Sequence, residues 1–110
     1  MNILKSEAYT LIKPTENSVG KFVENFKIKY SEFIGAQIII DFSEKINIEI
    51  KDLMLFLNIS TTHKENGTSF VIICDGIKID DVPDEISIVP TLTEAIDILE
   101  MDAIERDLGF

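Results

Sequence analysis

A chain of 110 residues, 45% of them hydrophobic, is long enough to bury one core without disulfides or metals and too short for two. Its formal charge of −10 is concentrated in residues 51–110, where four Lys/Arg stand against thirteen Asp/Glu. Such a surface repels nucleic-acid phosphates and anionic membranes, which argues against direct RNA or DNA binding and against a membrane partner.

Asn2–Leu4 and Ala8–Ile12 read as two short strands around the polar Lys5-Ser6-Glu7, a candidate hairpin closed by Pro14. Val19, Phe22, Val23, Phe26 and Tyr30 recur at helical spacing to about residue 32, with Thr15, Asn17 or Ser18 as cap and Gly35 beyond the end. Ile38–Phe42 is apolar in succession, as a strand covered on both faces should be. A loop at Ser43–Asn47 leads to a helix from about Glu49 to Glu65, stopped by Asn66-Gly67. Ser69–Cys74 is a second fully apolar strand, and the acidic segment Asp75–Glu85 holds a turn or short helix. Ser87–Val89 is a short strand. Pro90 then introduces Thr91-Leu92-Thr93-Glu94, a capping box, and Leu92, Ala95, Ile96 and Leu99 supply one apolar helix face. The order β-β-α-β-α-β-α-β-α predicts an α/β sandwich in one domain, residues 1–110. Its sheet is mixed, mostly parallel and four- to five-stranded, and helices pack against it.

The segment Gln37–Leu57, QIIIDFSEKINIEIKDLMLFL, resembles the core of the STAS domain, the fold of bacterial anti-sigma factor antagonists. Ile38-Ile39-Ile40-Asp41-Phe42 matches the family's central hydrophobic strand with its aspartate. Asp52–Leu57 matches the helix after it, Ser69–Cys74 the next strand, and Ile88-Val89-Pro90-Thr91 with Glu94-Ala95 the last strand and helix start. The chain is also similar to short proteins that carry a ribonuclease Z label. Anti-sigma antagonists of the family place an Asp-Ser-Ser-Gly-like sequence at that helix start. Here those positions are Glu49, Ile50, Lys51 and Asp52, so the acid is kept and no hydroxyl is present to accept a phosphate. Ser43, the nearest hydroxyl, stands in the preceding loop. The resemblance implies a STAS-like domain without the switch.

Catalytic chemistry finds few residues. One histidine, His63, is far short of the His-rich set of a zinc nuclease, and near a predicted helix end it should meet free carbonyls or solvent. Cys74 in an apolar strand reads as a small buried hydrophobe rather than a nucleophile paired with His63. Asp75, Asp80, Asp81, Asp84 and Glu85 lack calcium-loop spacing and read as a solvated acidic loop, and the five glycines form no phosphate cradle. No enzyme activity, cofactor or metal is expected.

The helix Ile50–Ile59 is apolar on most sides, more than a surface helix needs. Either it is deeply buried, or Leu53, Phe56 and Leu57 face the sheet while Ile48, Ile50, Met54 and Leu55 form part of a contact surface. The second arrangement gives a partner-binding set of Ile48, Glu49, Ile50, Lys51, Met54 and Leu55, at the helix start around which the family is implied to bind its partners. The expected function is then a cytoplasmic, non-catalytic protein-interaction module with a protein partner, or with a second copy as a homodimer. Two alternatives are a small-molecule or nucleotide binder using Asp41 and Ser43, and an accessory partner of an RNA-processing enzyme. Ile104, Leu108 and Phe110 near the C-terminus either fold back on the domain or dock onto a neighbour.

Overall fold

The computed structural model describes residues 1–44 and 48–109. The end of the expected Ser43–Asn47 loop and Phe110 therefore lie outside the described residues. Five strands form one sheet in the order β1 (Asn2–Lys5), β2 (Thr10–Lys13), β3 (Ile38–Asp41), β4 (Phe70–Ile73), β5 (Ser87–Val89). Only β1–β2 is antiparallel, in the expected hairpin; the other pairs are parallel, with Ile38 opposite Phe70 and Ile39 opposite Val71. The sheet is thus mixed and mostly parallel, as the element order predicts.

Because each parallel strand lies beside the one before it, right-handed crossovers stack on a single face. That face carries α1 (Val19–Lys29), α2 (Ile50–Leu53) and α3 (Leu57–Glu65); α4 (Leu92–Asp107) follows the last strand and covers the other. Strand alternation feeds both layers. Ile38, Ile40, Phe70 and Ile72 enter the α1–α3 core, while Leu11, Ile39, Val71, Ile73 and Val89 pack with Ala95 and Leu99 of α4.

Local chemistry places the helix ends. Ser18 caps α1 by accepting from the Lys21 N–H at 3.1 Å. Past a short 3₁₀ turn, Tyr30–Glu32, the chain reverses through Gly35 at φ +87°, a conformation glycine adopts without a Cβ penalty. Gly67 does the same after α3, at φ +83°. Thr91 caps α4 through the Glu94 N–H at 3.2 Å. Leu92, expected on the buried face of α4, is exposed in its first turn, and Ile96 is half-buried; Ala95 and Leu99 carry that face.

The larger core is organised by aromatic rings. Phe26 stacks on Phe33 with centroids 5.3 Å apart and meets Phe22, Tyr30 and Phe70 at 6.0, 5.8 and 6.0 Å. His63 extends this cluster, which corrects the expectation that it meets the free carbonyls of its own helix end or solvent. It is buried, Nδ1 lying 2.8 Å from the Tyr30 hydroxyl and Nε2 2.6 Å from the Ala36 carbonyl. A carbonyl only accepts, so Nε2 carries the proton and Nδ1 accepts from Tyr30. The imidazole is neutral and joins α3 to the turn entering β3. Burial lowers its pKa, in keeping with that role.

Just ahead of β4, fully buried Ser69 ties α4 to that strand. Its hydroxyl donates to Asp102 Oδ2 at 2.6 Å and accepts from Arg106 Nη2 at 2.8 Å. Its N–H donates to Gln37 Oε1 at 2.6 Å.

Two stability predictions follow from these contacts. Truncating Phe26 to Ala should cost about 3–5 kcal/mol in urea unfolding, because the ring is fully buried among four others. Acid should act in two windows. Below about pH 6.5 the unfolded chain protonates His63 while the folded one resists, so stability present above that value declines as pH falls. Glu16 is pushed up by burial, but hydrogen bonds outweigh this, from Asn25 Nδ2 at 2.8 Å and the Thr15 N–H at 3.0 Å. Together with other contacts they hold it at about 2. Its stabilisation is complete above its ordinary 4.5 and disappears as pH drops toward 2. Urea midpoints against pH should therefore lose the upper slope in His63→Gln and the lower slope in Glu16→Gln.

Candidate functional site

The helix after β3 begins with a reciprocal capping box. Glu49, in extended conformation, accepts the Asp52 N–H with its side chain, and Asp52 Oδ2 accepts the Glu49 N–H at 3.0 Å. Both carboxylates are thereby used to start the helix, where the aligned N–H groups favour negative charge. Ile50 and Lys51 occupy the first turn. Lys51 Nζ lies 3.2 Å from Glu49 Oε2, with both side chains largely in solvent, a geometry worth little stability.

The expected helix 49–65 is not one regular cylinder. Between α2 and α3, Met54–Phe56 form a 3₁₀ turn. Three residues per turn eclipse i and i+3, so Leu53 and Phe56 both point into the core, where each is fully buried. Met54 and Leu55 are turned outward by the same geometry, 40% and 44% exposed. After the turn, Ile59, Ser60 and His63 face inward. Deep burial of the whole helix is ruled out, and the apolar residues divide between core and surface.

Of the six expected contact residues, Met54, Leu55, Glu49 and Lys51 are exposed. Ile48 and Ile50 are half-buried, and Ile48 packs against the larger core, which leaves it only partly accessible. The six therefore make a rim of charge beside a small apolar knob.

The alternative ligand residues bond to each other. Asp41 ends β3 half-buried, and its Oδ1 accepts the Ser43 N–H at 2.8 Å, a local turn bond. A polar cleft of about 340 Å³ between α3, β5 and α4 is lined by Lys64, Gly67, Ser87, Asp102, Glu105 and Arg106. Its two cations are already engaged: Lys64 donates to the Glu85 carbonyl at 2.9 Å and to Ser87 Oγ at 2.8 Å, and Arg106 donates to Ser69.

Cys74 is buried just beyond β4, and burial, followed by the nearby Asp75 charge, raises its pKa. Both effects oppose the thiolate that a nucleophile needs. His63, its only possible imidazole partner in the sequence, has both ring nitrogens bonded. Among the described residues no group of three or more His, Cys, Asp or Glu could hold a metal ion. No described helix is long and apolar enough to cross a membrane.

One feature escaped sequence reasoning, and one of two expected outcomes for the C-terminal helix is excluded. The Tyr30–His63–Ala36 link joins residues 33 and 27 positions apart, with no local signal. Ile104 and Leu108 do not fold back: α4 continues through Asp107, and both are more than half exposed, together with Met101. Spacing at i, i+3 and i+7 was the available clue.

No model of a known protein family matches the chain, and no curated protein matches it in sequence. Solved structures do. The protein TM1081, determined by NMR, is 18% identical with a TM-score of 0.67, covering 89% of this chain and 86% of its own. A singly substituted form of RsbS from Moorella thermoacetica is 20% identical with a TM-score of 0.62, covering 93% and 96%. A chain from the molecular architecture of the stressosome, a signal integration and transduction hub, is also 20% identical, with a TM-score of 0.58, covering 93% and 98%. At these identities the likeness is one of fold. The architecture is the STAS-like sandwich, with a five-stranded, mostly parallel sheet clothed by helices on both faces.

Proposed function

We propose that this chain is a non-catalytic protein-interaction module that captures a partner through the start of α2, cytoplasmic and without phosphorylation at that position. The observation that carries this reading is the outward turn of Met54 and Leu55. The 3₁₀ segment buries Leu53 and Phe56 completely and leaves two large apolar side chains in water beside the Glu49–Lys51 pair. Burying such a knob in a partner would supply the affinity, and the two rim charges would set register. Ile50 and Lys51 stand where the resembling family has hydroxyls, so binding here would be constitutive or governed by partner abundance. Similarity in fold to RsbS and to a structure described as a signal integration and transduction hub supports a regulatory role.

The nucleotide reading is weakened by the local use of Asp41, and no specific observation favours an accessory role in RNA processing.

Met54→Asp combined with Leu55→Asp should leave the circular dichroism spectrum and thermal midpoint near wild type, because both side chains are already partly solvated. The same variant should lose the partner recovered by wild type in an affinity pull-down from the native cell, identified by mass spectrometry. Recovery of that partner in equal amount by the variant overturns the assignment. In a thermal-shift screen, ATP, GTP and inorganic phosphate should leave the midpoint unmoved; a rise of several degrees with any of them would transfer support to the ligand reading.

A further inference from the structure

The opposite face of the molecule carries a second apolar feature, built differently. α4 packs Ala95 and Leu99 against the sheet, with Ile96 and Ile98 partly buried alongside. On its outer side Met101, Ile104 and Leu108 are 55%, 58% and 65% exposed. Their i, i+3, i+7 spacing returns each to one side of the helix, roughly opposite the packed face, so they form a continuous ridge over two turns.

The flanks of that ridge are acidic on both sides. Helical geometry sets Glu100 and Asp107 along one edge and Glu94 and Glu105 along the other, all exposed. Arg106, the single base of α4, points the other way and donates to buried Ser69, alongside Asp102. The inward anchor thus removes from the outer face the one cation that could balance it.

We propose that the outer face of α4 is a docking surface for a basic amphipathic helix of a partner protein. Aliphatic anchors of that helix pack on Met101, Ile104 and Leu108, and its flanking Lys or Arg side chains meet Glu100, Glu105 and Asp107. The spacing is that of two helices lying side by side, where an apolar seam gives contact and the flanking charges choose the partner. Charge complementarity selects the occupant. A second copy would bring an equally acidic ridge against this one, and anionic lipid or nucleic acid would meet the same repulsion. Since α4 and α2 lie on opposite faces of the sheet, this surface is independent of the one at Met54 and Leu55.

The test uses the full chain and a synthetic peptide of about three heptads with Leu at a and d and Lys at e and g, followed by fluorescence anisotropy at low salt. Binding is expected, weakening as salt rises. The pair Ile104→Ser and Leu108→Ser leaves the charge of the protein unchanged and should weaken binding at least about tenfold, as loss of central apolar anchors does. Met54→Ser with Leu55→Ser should bind as wild type. Equal binding by the Ile104→Ser, Leu108→Ser protein would mean that charge alone attracts the peptide and overturns the proposal. So would equal binding of a counterpart peptide with Glu at e and g. A wild-type dimer in sedimentation that the same double variant dissolves would also overturn it, by assigning the ridge to a second copy.

Discussion

Everything in this molecule depends on the burial of β3 and β4 on both faces. Ile38, Ile39, Ile40, Phe70, Val71 and Ile72 have no exposed side, so each face of the sheet needs its own cover. The parallel order sends the crossovers of one hand to one face, and only the last helix remains for the other. Three helices share the first layer and one serves the second. That imbalance shapes the surfaces left over. On the crowded side, α2 and α3 lie with α1, joined by the 3₁₀ turn at Met54–Phe56. On the other, α4 stands alone with its outer side toward solvent.

The polar groups in the interior serve this packing. Neutral His63 bridges Tyr30 and Ala36, locking α3 to the turn ahead of the central strand while the aromatic cluster closes around it. Ser69 performs a similar service for α4 through Asp102 and Arg106. The two arrangements hold the only histidine of the sequence, and Arg106 of α4, within structural bonds. Among the groups left at the surface are the exposed apolar side chains of Met54, Leu55, Met101, Ile104 and Leu108, with charges flanking them.

Electrostatics then separates the two candidate surfaces. At the start of α2 the carboxylates of Glu49 and Asp52 cap the helix, and Lys51 offsets one of them, so that region is mixed in sign. The outer face of α4 has carboxylates on both flanks and its base turned inward. Partners of different chemistry suit the two places, and a small domain with two such faces could hold both at once across its sheet.

Local sequence was enough for the strand and helix order, the mixed sheet, the cap at Thr91 and the stop at Gly67, and it offered Ser18 as one of three caps for α1. These rest on local periodicity and on backbone groups a few residues apart. It also posed the choice between burial and exposure for the helix that starts at Glu49. Tertiary packing settled that choice: the 3₁₀ turn at Met54–Phe56 buries Leu53 and Phe56 and leaves Met54 and Leu55 outside, which periodicity alone does not specify. The same holds for His63, which local pattern placed near a helix end facing free carbonyls or solvent and packing drew into the core beside Tyr30. It holds too for Met101, Ile104 and Leu108: their spacing was legible, but whether a helix side meets the sheet or the solvent is settled by what else lies there. Period fixes which residues share a face, and only the assembled layers fix which way that face looks.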